Sequence, residues 1–248
     1  MTVFPFILDR RDSERARLGL VVLQSDETIE RDFRRLMPNG VSLYVTRVES
    51  DPEVTTETLA GMRDRIAGAA GLLPRPVCFD SVGYGCTSGT SVIGVGAIAE
   101  RLRAGCDTKA TSEPVSALLA AAGALGLKRI AFLSPYVAEV SARLRGVLSD
   151  GGLESPVFGT FDEAREENVA WIDRASIIEA ATSLVGDSDV DAVFLSCTNL
   201  RTLDCLAAIE SAIGRPALSS NQVLCWQMLR LAGIDDRMSG YGRLFEMA

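Results

Sequence analysis

The chain has 248 residues, 47% of them hydrophobic, and 25 basic against 33 acidic side chains leave a net charge of −8. That length forms one large domain or two small ones around a sizeable core. The acidic balance, with no basic stripe and 6% aromatic residues, argues against nucleic acid, and no apolar run approaches the ~20 residues of a membrane-spanning helix.

At the N-terminus a short apolar patch, 3–8, runs into Asp9-Arg10-Arg11-Asp12. That is the wrong order for a signal peptide, so a cytoplasmic protein is expected. Apolar patterning then predicts a strand over 18–23, a helix over 27–36, a strand over 41–46 and a helix over 56–70. A strand over 77–84 and helices over 91–103 and 114–125 follow. The second part repeats the theme, with strands over 129–134, 156–160, 191–196 and 216–218 and helices over 137–149, 176–184, 200–212 and 222–231. Such alternation implies parallel sheets with helices on both faces and ligands at the carboxyl ends of the strands.

A long-period repeat runs through this pattern. The stretch 17–23 resembles 129–133 at an offset of 112, and Cys86-Thr87 matches Cys197-Thr198 at 111. Thr111-Ser112 with a helix ending at Gly126 matches Ser219-Ser220 with a helix ending at Gly233, at offsets of 108 and 107. The reading is an α/β fold of two similar lobes, each a parallel sheet flanked by helices. The lobes, 15–110 with 221–248 and 111–220, are related by pseudo-twofold symmetry with the active site between them.

Histidine is absent, which removes His triads, His proton shuttles and most zinc or iron sites. Acid–base work near neutral pH falls to Cys, carboxylates, Lys or Tyr. Of six cysteines none shows C-x-x-C spacing, so free thiols are expected in a reducing compartment. Cys78, Cys106, Cys205 and Cys225 read as structural. Cys86 follows a strand within Gly83-Tyr84-Gly85-Cys86-Thr87-Ser88-Gly89-Thr90 and precedes a helix. Its glycines allow close approach of a ligand, and a helix N-terminus favours an anion and a thiolate. The bland alternative is a buried cysteine at a strand end with capping hydroxyls. Cys197 repeats the arrangement, with Thr198 or Asn199 as the expected N-cap. The glycine-rich run has no Gly-Lys-Ser/Thr and no complete G-x-G-x-x-G, so no nucleotide site is read from it. The loops after the first strand of each lobe add Ser25 and Asp26, which also suit a helix cap, and Tyr136.

One Cys-Thr turn per lobe resembles the aspartate/glutamate racemase superfamily, and within it the branch of maleate cis–trans isomerases and arylmalonate decarboxylases. The resemblance rests on 18–30, 83–90, 133–136, 168–172, 195–204 and 240–245. It implies Cys86 as nucleophile and Cys197 as proton donor and acceptor. It also implies Tyr136 and Asn168 on one substrate carboxylate and the Thr87-Ser88 turn on the second, with Thr198 as a further substrate-binding residue. Decarboxylases of the branch keep only the second cysteine, so two cysteines favour isomerase or racemase chemistry. Asp26 stands where maleate isomerases are expected to carry asparagine. The string Ser25-Asp26-x-Thr28-x-Glu30-x-x-Phe33 is more similar to ectoine-utilisation proteins, whose substrate would carry an ammonium for Asp26 to pair with. The expectation is a cofactor-independent enzyme acting on a small carboxylate, without nucleic-acid or membrane partners, as a homodimer or higher homo-oligomer. A decarboxylase in the same cleft and a non-catalytic small-acid sensor are the alternatives.

Overall fold

Eight short strands alternate with helices in a computed structural model that describes residues 1–8, 14–51 and 55–247. The charged run at 9–12 lies outside the described residues. In chain order the first half comprises β1 (Ala16–Leu23), α1 (Ile29–Leu36), β2 (Val41–Val48), α2 (Thr56–Gly61), α3 (Arg63–Ala70), β3 (Phe79–Gly85), α4 (Thr87–Ile93), α5 (Val95–Gly105) and β4 (Thr108–Ser112). The second half comprises α6 (Pro114–Leu125), β5 (Arg129–Ser134), α7 (Ala138–Asp150), β6 (Glu154–Thr160), α8 (Glu166–Val169) and α9 (Arg174–Val185). It continues with β7 (Ala192–Leu195), α10 (Leu206–Ile213), β8 (Ala217–Ser219), α11 (Ser220–Leu231) and a 3-10 turn, Arg243–Glu246.

The strands form two four-stranded sheets in the orders β2-β1-β3-β4 and β6-β5-β7-β8. Every pairing is parallel. The same order in both sheets is the α/β repeat expected from the offsets. Register brings Val22 beside Gly85 in the first sheet and Leu133 beside Leu195 in the second. The turns that follow these strands therefore emerge together at the carboxyl ends. Among the described residues no helix is long and apolar enough to cross a membrane.

Strand residues that are apolar on both faces form the core, since helices cover each sheet on both sides. Leu18, Leu20, Phe132 and Phe194 are fully buried, and Phe132 packs on Phe194 with ring centroids 5.6 Å apart. Each fully buried side chain of this kind is worth about 1.5–3 kcal/mol. The helix α11 packs against β3 and α6, and glycine permits the approach: a Cβ on Gly83 would collide with the Met228 sulfur.

Several boundaries differ from those read in the sequence. The helix expected over 91–103 is two helices broken at Gly94, whose φ of +90° only glycine adopts without strain. The polar strand β4 was not foreseen. Among the described residues it is an edge strand paired only with β3, so it needs no apolar alternation, and its Lys109 reaches Asp80 at 2.6 Å. The helix expected over 200–212 begins only at Leu206 with Cys205 at its N-cap, so Thr198 and Asn199 do not cap it.

Candidate active site

Four turns converge at the carboxyl ends of the central strands. After β1, Asp26 Oδ1 accepts the N–H groups of Thr28 and Ile29, both at 2.8 Å, so its capping role is real. After β3, Cys86 caps α4: its Sγ accepts the Gly89 N–H at 3.1 Å. The Thr90 hydroxyl donates to the Cys86 carbonyl at 2.7 Å. After β5, Tyr136 turns inward, its N–H on Ser134 Oγ at 3.2 Å. After β7, Cys197 adopts φ +124°, a region an L-residue enters at a cost of order 1–3 kcal/mol unless its surroundings hold it.

Those holds are specific. The Cys197 N–H donates to Ser220 Oγ at 3.0 Å, the Asn199 N–H donates to Cys197 Sγ at 3.3 Å, and Thr198 Oγ1 donates to the Gly85 carbonyl at 3.3 Å. Ser220 Oγ also accepts from Thr87 Oγ1 at 2.8 Å. One hydroxyl oxygen at the start of α11 therefore ties the Cys86-Thr87 turn of the first sheet to the Cys197-Thr198 turn of the second. Asn199 makes a second tie: its Oδ1 accepts the Glu27 N–H at 2.9 Å and its Nδ2 donates to the Glu166 carbonyl at 3.1 Å.

The Tyr136 hydroxyl donates to Glu166 Oε2 at 2.5 Å and lies 3.0 Å from Cys197 Sγ. Glu166, on the short α8, is buried and lines a small pocket with Leu23, Ser25, Leu59 and Met62. Met62 in turn receives the Tyr84 hydroxyl at 3.7 Å, beside the Cys86 turn.

Cys86, Cys197, Asp26, Thr87, Ser88, Tyr136 and Thr198 are all buried on these turns. The structure does not bring Asn168 to them: it is exposed and donates to Glu163 Oε2 at 3.0 Å. Two residues earlier on the same helix, Glu166 points in. Sequence reasoning missed it because Glu163 to Glu167 reads as a solvated charged stretch. Ser220 left one trace, its match to Ser112, and Asn199 appeared only as a cap.

Burial dominates the electrostatics. It pushes the Cys86 thiol up to about 12, with Glu166 and Asp26 adding repulsion and the Gly89 N–H opposing. Cys197 is pushed well above the usual thiol range by burial and by Glu166, against the Tyr136 hydroxyl and the Asn199 N–H. Glu166 is raised to about 7 by burial. Burial also raises Asp26, against the N–H groups of Ile29 and Thr28. The thiolate expected from the helix N-terminus is therefore not the resting form: one N–H at Sγ is outweighed by desolvation and two acidic neighbours. Neutral thiols beside protonatable carboxyls form a store of movable protons. Among the described residues no group of three or more His, Cys, Asp or Glu side chains is placed to hold a metal ion.

The arylmalonate decarboxylase family model matches residues 95–245. The chain is 32% identical to the arylmalonate decarboxylase of Bordetella bronchiseptica over 143 residues, 57% of this chain and 58% of that protein. It is 27% identical to the maleate isomerase of Nocardia farcinica over 244 residues, 92% of this chain and 94% of that one. In three dimensions it resembles the maleate isomerase of Pseudomonas putida S16 in its structure with maleate, with a TM-score of 0.84 at 24% identity over 94% of this chain and 98% of that one. It also resembles a variant of the Nocardia farcinica maleate cis–trans isomerase with a covalently bound succinylcysteine intermediate, with a TM-score of 0.82 at 24% identity over 93% and 98%.

Proposed function

The chain belongs to the arylmalonate decarboxylase family, and from that premise we propose a cofactor-independent isomerase or racemase of small carboxylic acids that works through Cys86 and Cys197. The observation that carries this reading is the pair of cysteines at matching strand ends, their turns held by one Ser220 oxygen. The likeness to maleate isomerases along nearly the whole chain supports it, as does the succinylcysteine found in one of them.

In the isomerase form the Cys86 S–H proton first leaves to solvent, and the resulting thiolate adds to a C=C bond, forming C–S as the π bond breaks. The carbanion, delocalised into the adjacent carboxylate, takes the proton of the Cys197 S–H. Rotation about the new single bond follows. Cys197 thiolate then removes a proton from that carbon, the double bond re-forms and Cys86 leaves. In the racemase form one cysteine removes the α-proton and the other delivers one to the opposite face. The Ser88 hydroxyl is assigned to the substrate carboxylate and the developing negative charge. Thr87, Thr198 and Tyr136 line the same site, but their hydroxyl protons go to Ser220, the Gly85 carbonyl and Glu166 and reach substrate only if those bonds are exchanged for it.

The substrate we assign carries an ammonium as well as a carboxylate, as in ectoine utilisation. A second carboxylate would meet Asp26 and Glu166, two buried acids, and would be bound only with both protonated. We assign the enzyme to the cytoplasm as a homo-oligomer of two-lobed subunits, with 15–110 and 221–248 as one lobe and 111–220 as the other. In the structure α11 packs on β3 and β4 of the first lobe and on α6 of the second.

Cys86→Ala tests the assignment against its rivals. Isomerase or racemase turnover is abolished in that variant. A decarboxylase would release carbon dioxide from a malonate-type acid and keep doing so without Cys86. A sensor would show stabilisation by ligand with no turnover at all.

A further inference from the structure

Both thiols lie where ionisation is opposed, and the chain has no histidine to take a proton from them. A thiolate made by releasing a proton to solvent would add a buried negative charge next to Glu166 and near Asp26. We propose that Glu166 takes the Cys197 proton through the Tyr136 hydroxyl, so that Cys197 and Glu166 act as one proton-sharing pair. This rests on the two-cysteine reading above: in its racemase form the relay makes Cys197 the base that removes the α-proton, and in its isomerase form the relay, run backwards, keeps Cys197 protonated as the donor.

The geometry sets the direction. A tyrosine hydroxyl has one proton to donate and lone pairs to accept. Tyr136 donates to Glu166 Oε2 at 2.5 Å, so across the 3.0 Å contact with Cys197 the thiol is the donor. The chain reads S–H to O–H to carboxylate. When it shifts, the Cys197 S–H bond breaks and a new Tyr136 O–H bond forms. The former Tyr136 proton bonds to Glu166 Oε2. Cys197 is left as a thiolate that accepts from both the Tyr136 hydroxyl and the Asn199 N–H, and Glu166 becomes neutral. The number of buried charges is unchanged, whereas ionisation to solvent would raise it. Running backwards, the same shift returns a proton to Cys197. The other titratable groups facing the pair are Asp26, on the turn after β1, and Cys86, at the start of α4; both act as negative or neutral neighbours. The Asn199 side chain bonds the Glu166 carbonyl while its N–H bonds Cys197 Sγ, so one residue fixes both ends of the relay.

The test follows iodoacetamide alkylation of Cys197 against pH, read on its own peptide by mass spectrometry, with ultraviolet thiolate absorbance as a measure that needs no reagent access. It needs no substrate, so its result stands apart from whether the isomerase or racemase reading holds. In the wild type, reactivity rises in two steps: a first rise as the pair loses one proton near pH 7, where Glu166 titrates, a plateau, then a rise in alkaline solution. In Glu166→Gln the first step disappears, although the glutamine carbonyl still accepts from Tyr136 and keeps the ring in place. On a turned-over substrate kcat falls by ~10²–10⁴-fold in that variant, the range of general acid–base groups, with a much smaller change in KM. Tyr136→Phe lowers the plateau. A wild-type profile with one alkaline rise overturns the proposal without any variant, and a Glu166→Gln protein that keeps the step near 7 overturns it by showing Glu166 only positions Tyr136.

Discussion

Ser220→Ala isolates the tie between the two halves of the site. Ser220 is fully buried, and its oxygen accepts the Cys197 N–H at 3.0 Å and the Thr87 hydroxyl at 2.8 Å. Alanine leaves both donors without an acceptor in a place water does not reach. A buried donor left unpaired costs about 1–3 kcal/mol. The Thr87 hydroxyl can rotate towards another acceptor, but the Cys197 N–H is fixed by a backbone at φ +124°, so the N–H carries most of the loss. A total of ~2 kcal/mol corresponds to a Tm lowered by ~4–8 °C for a chain of this size. The consequence for chemistry is larger than for folding, because Cys197 holds its strained conformation only while its surroundings insist on it. Circular dichroism melting with turnover on the same preparations provides the assay, and kcat falls even well below the melting range. A variant that melts with the wild type and turns over at its rate would refute the claim that Ser220 holds the two cysteine turns together.

Three further outcomes are expected. Gly89→Ala puts a Cβ 2.9 Å from Cys86 Sγ and 3.0 Å from the Tyr84 hydroxyl; the sulfur, a side-chain tip, swings away, so kcat/KM drops while Tm changes little. Asp32 is raised to about 6 by burial, with its Oδ2 on Asn221 at 2.9 Å. The folded protein therefore keeps a proton that the unfolded chain releases above about 4. That contribution to stability is full below about 4 and lost as pH rises through 6, so Tm measured against pH declines across this window and the decline is shallower in Asp32→Asn. Asp26→Asn removes a buried carboxyl from the site while keeping an oxygen for the Thr28 and Ile29 N–H groups. Competition assays should show its preference moving from ammonium-bearing acids towards dicarboxylates.

The repeat was legible because both halves solve the same local problem. A strand must end in a tight turn that carries a cysteine, and a helix must stop at a left-handed glycine, as α6 does at Gly126 with φ +70°. Those requirements leave residues at constant offsets, and the two sheets share one strand order in consequence. What could not be read was decided by tertiary contacts. The polar β4 is a strand because β3 offers it a free edge, and residues 198–205 form turns because Asn199 is spent on Glu27 and Glu166. Glu166 and Asn168 look equivalent in a charged stretch, yet the start of the short helix α8 turns one inward and the other outward. The direction of the Cys86 shift was misread for a related reason. The sequence shows the helix N-terminus that favours a thiolate, but not the burial and the distant acids that oppose it.

The central claim, that Cys86 and Cys197 work together as acid, base or nucleophile on a small acid, is tested most directly by proton NMR in deuterated water. The wild type, Cys86→Ala and Cys197→Ala are incubated with maleate, malonates, and aspartate-, glutamate- and diaminobutyrate-type acids with their N-acetyl forms. The account predicts solvent deuterium entering an ammonium-bearing acid, or a cis/trans or mirror-image product of it, in the wild type and in neither variant. Undiminished turnover in either variant, or a folded wild type that exchanges nothing in the panel, would contradict it.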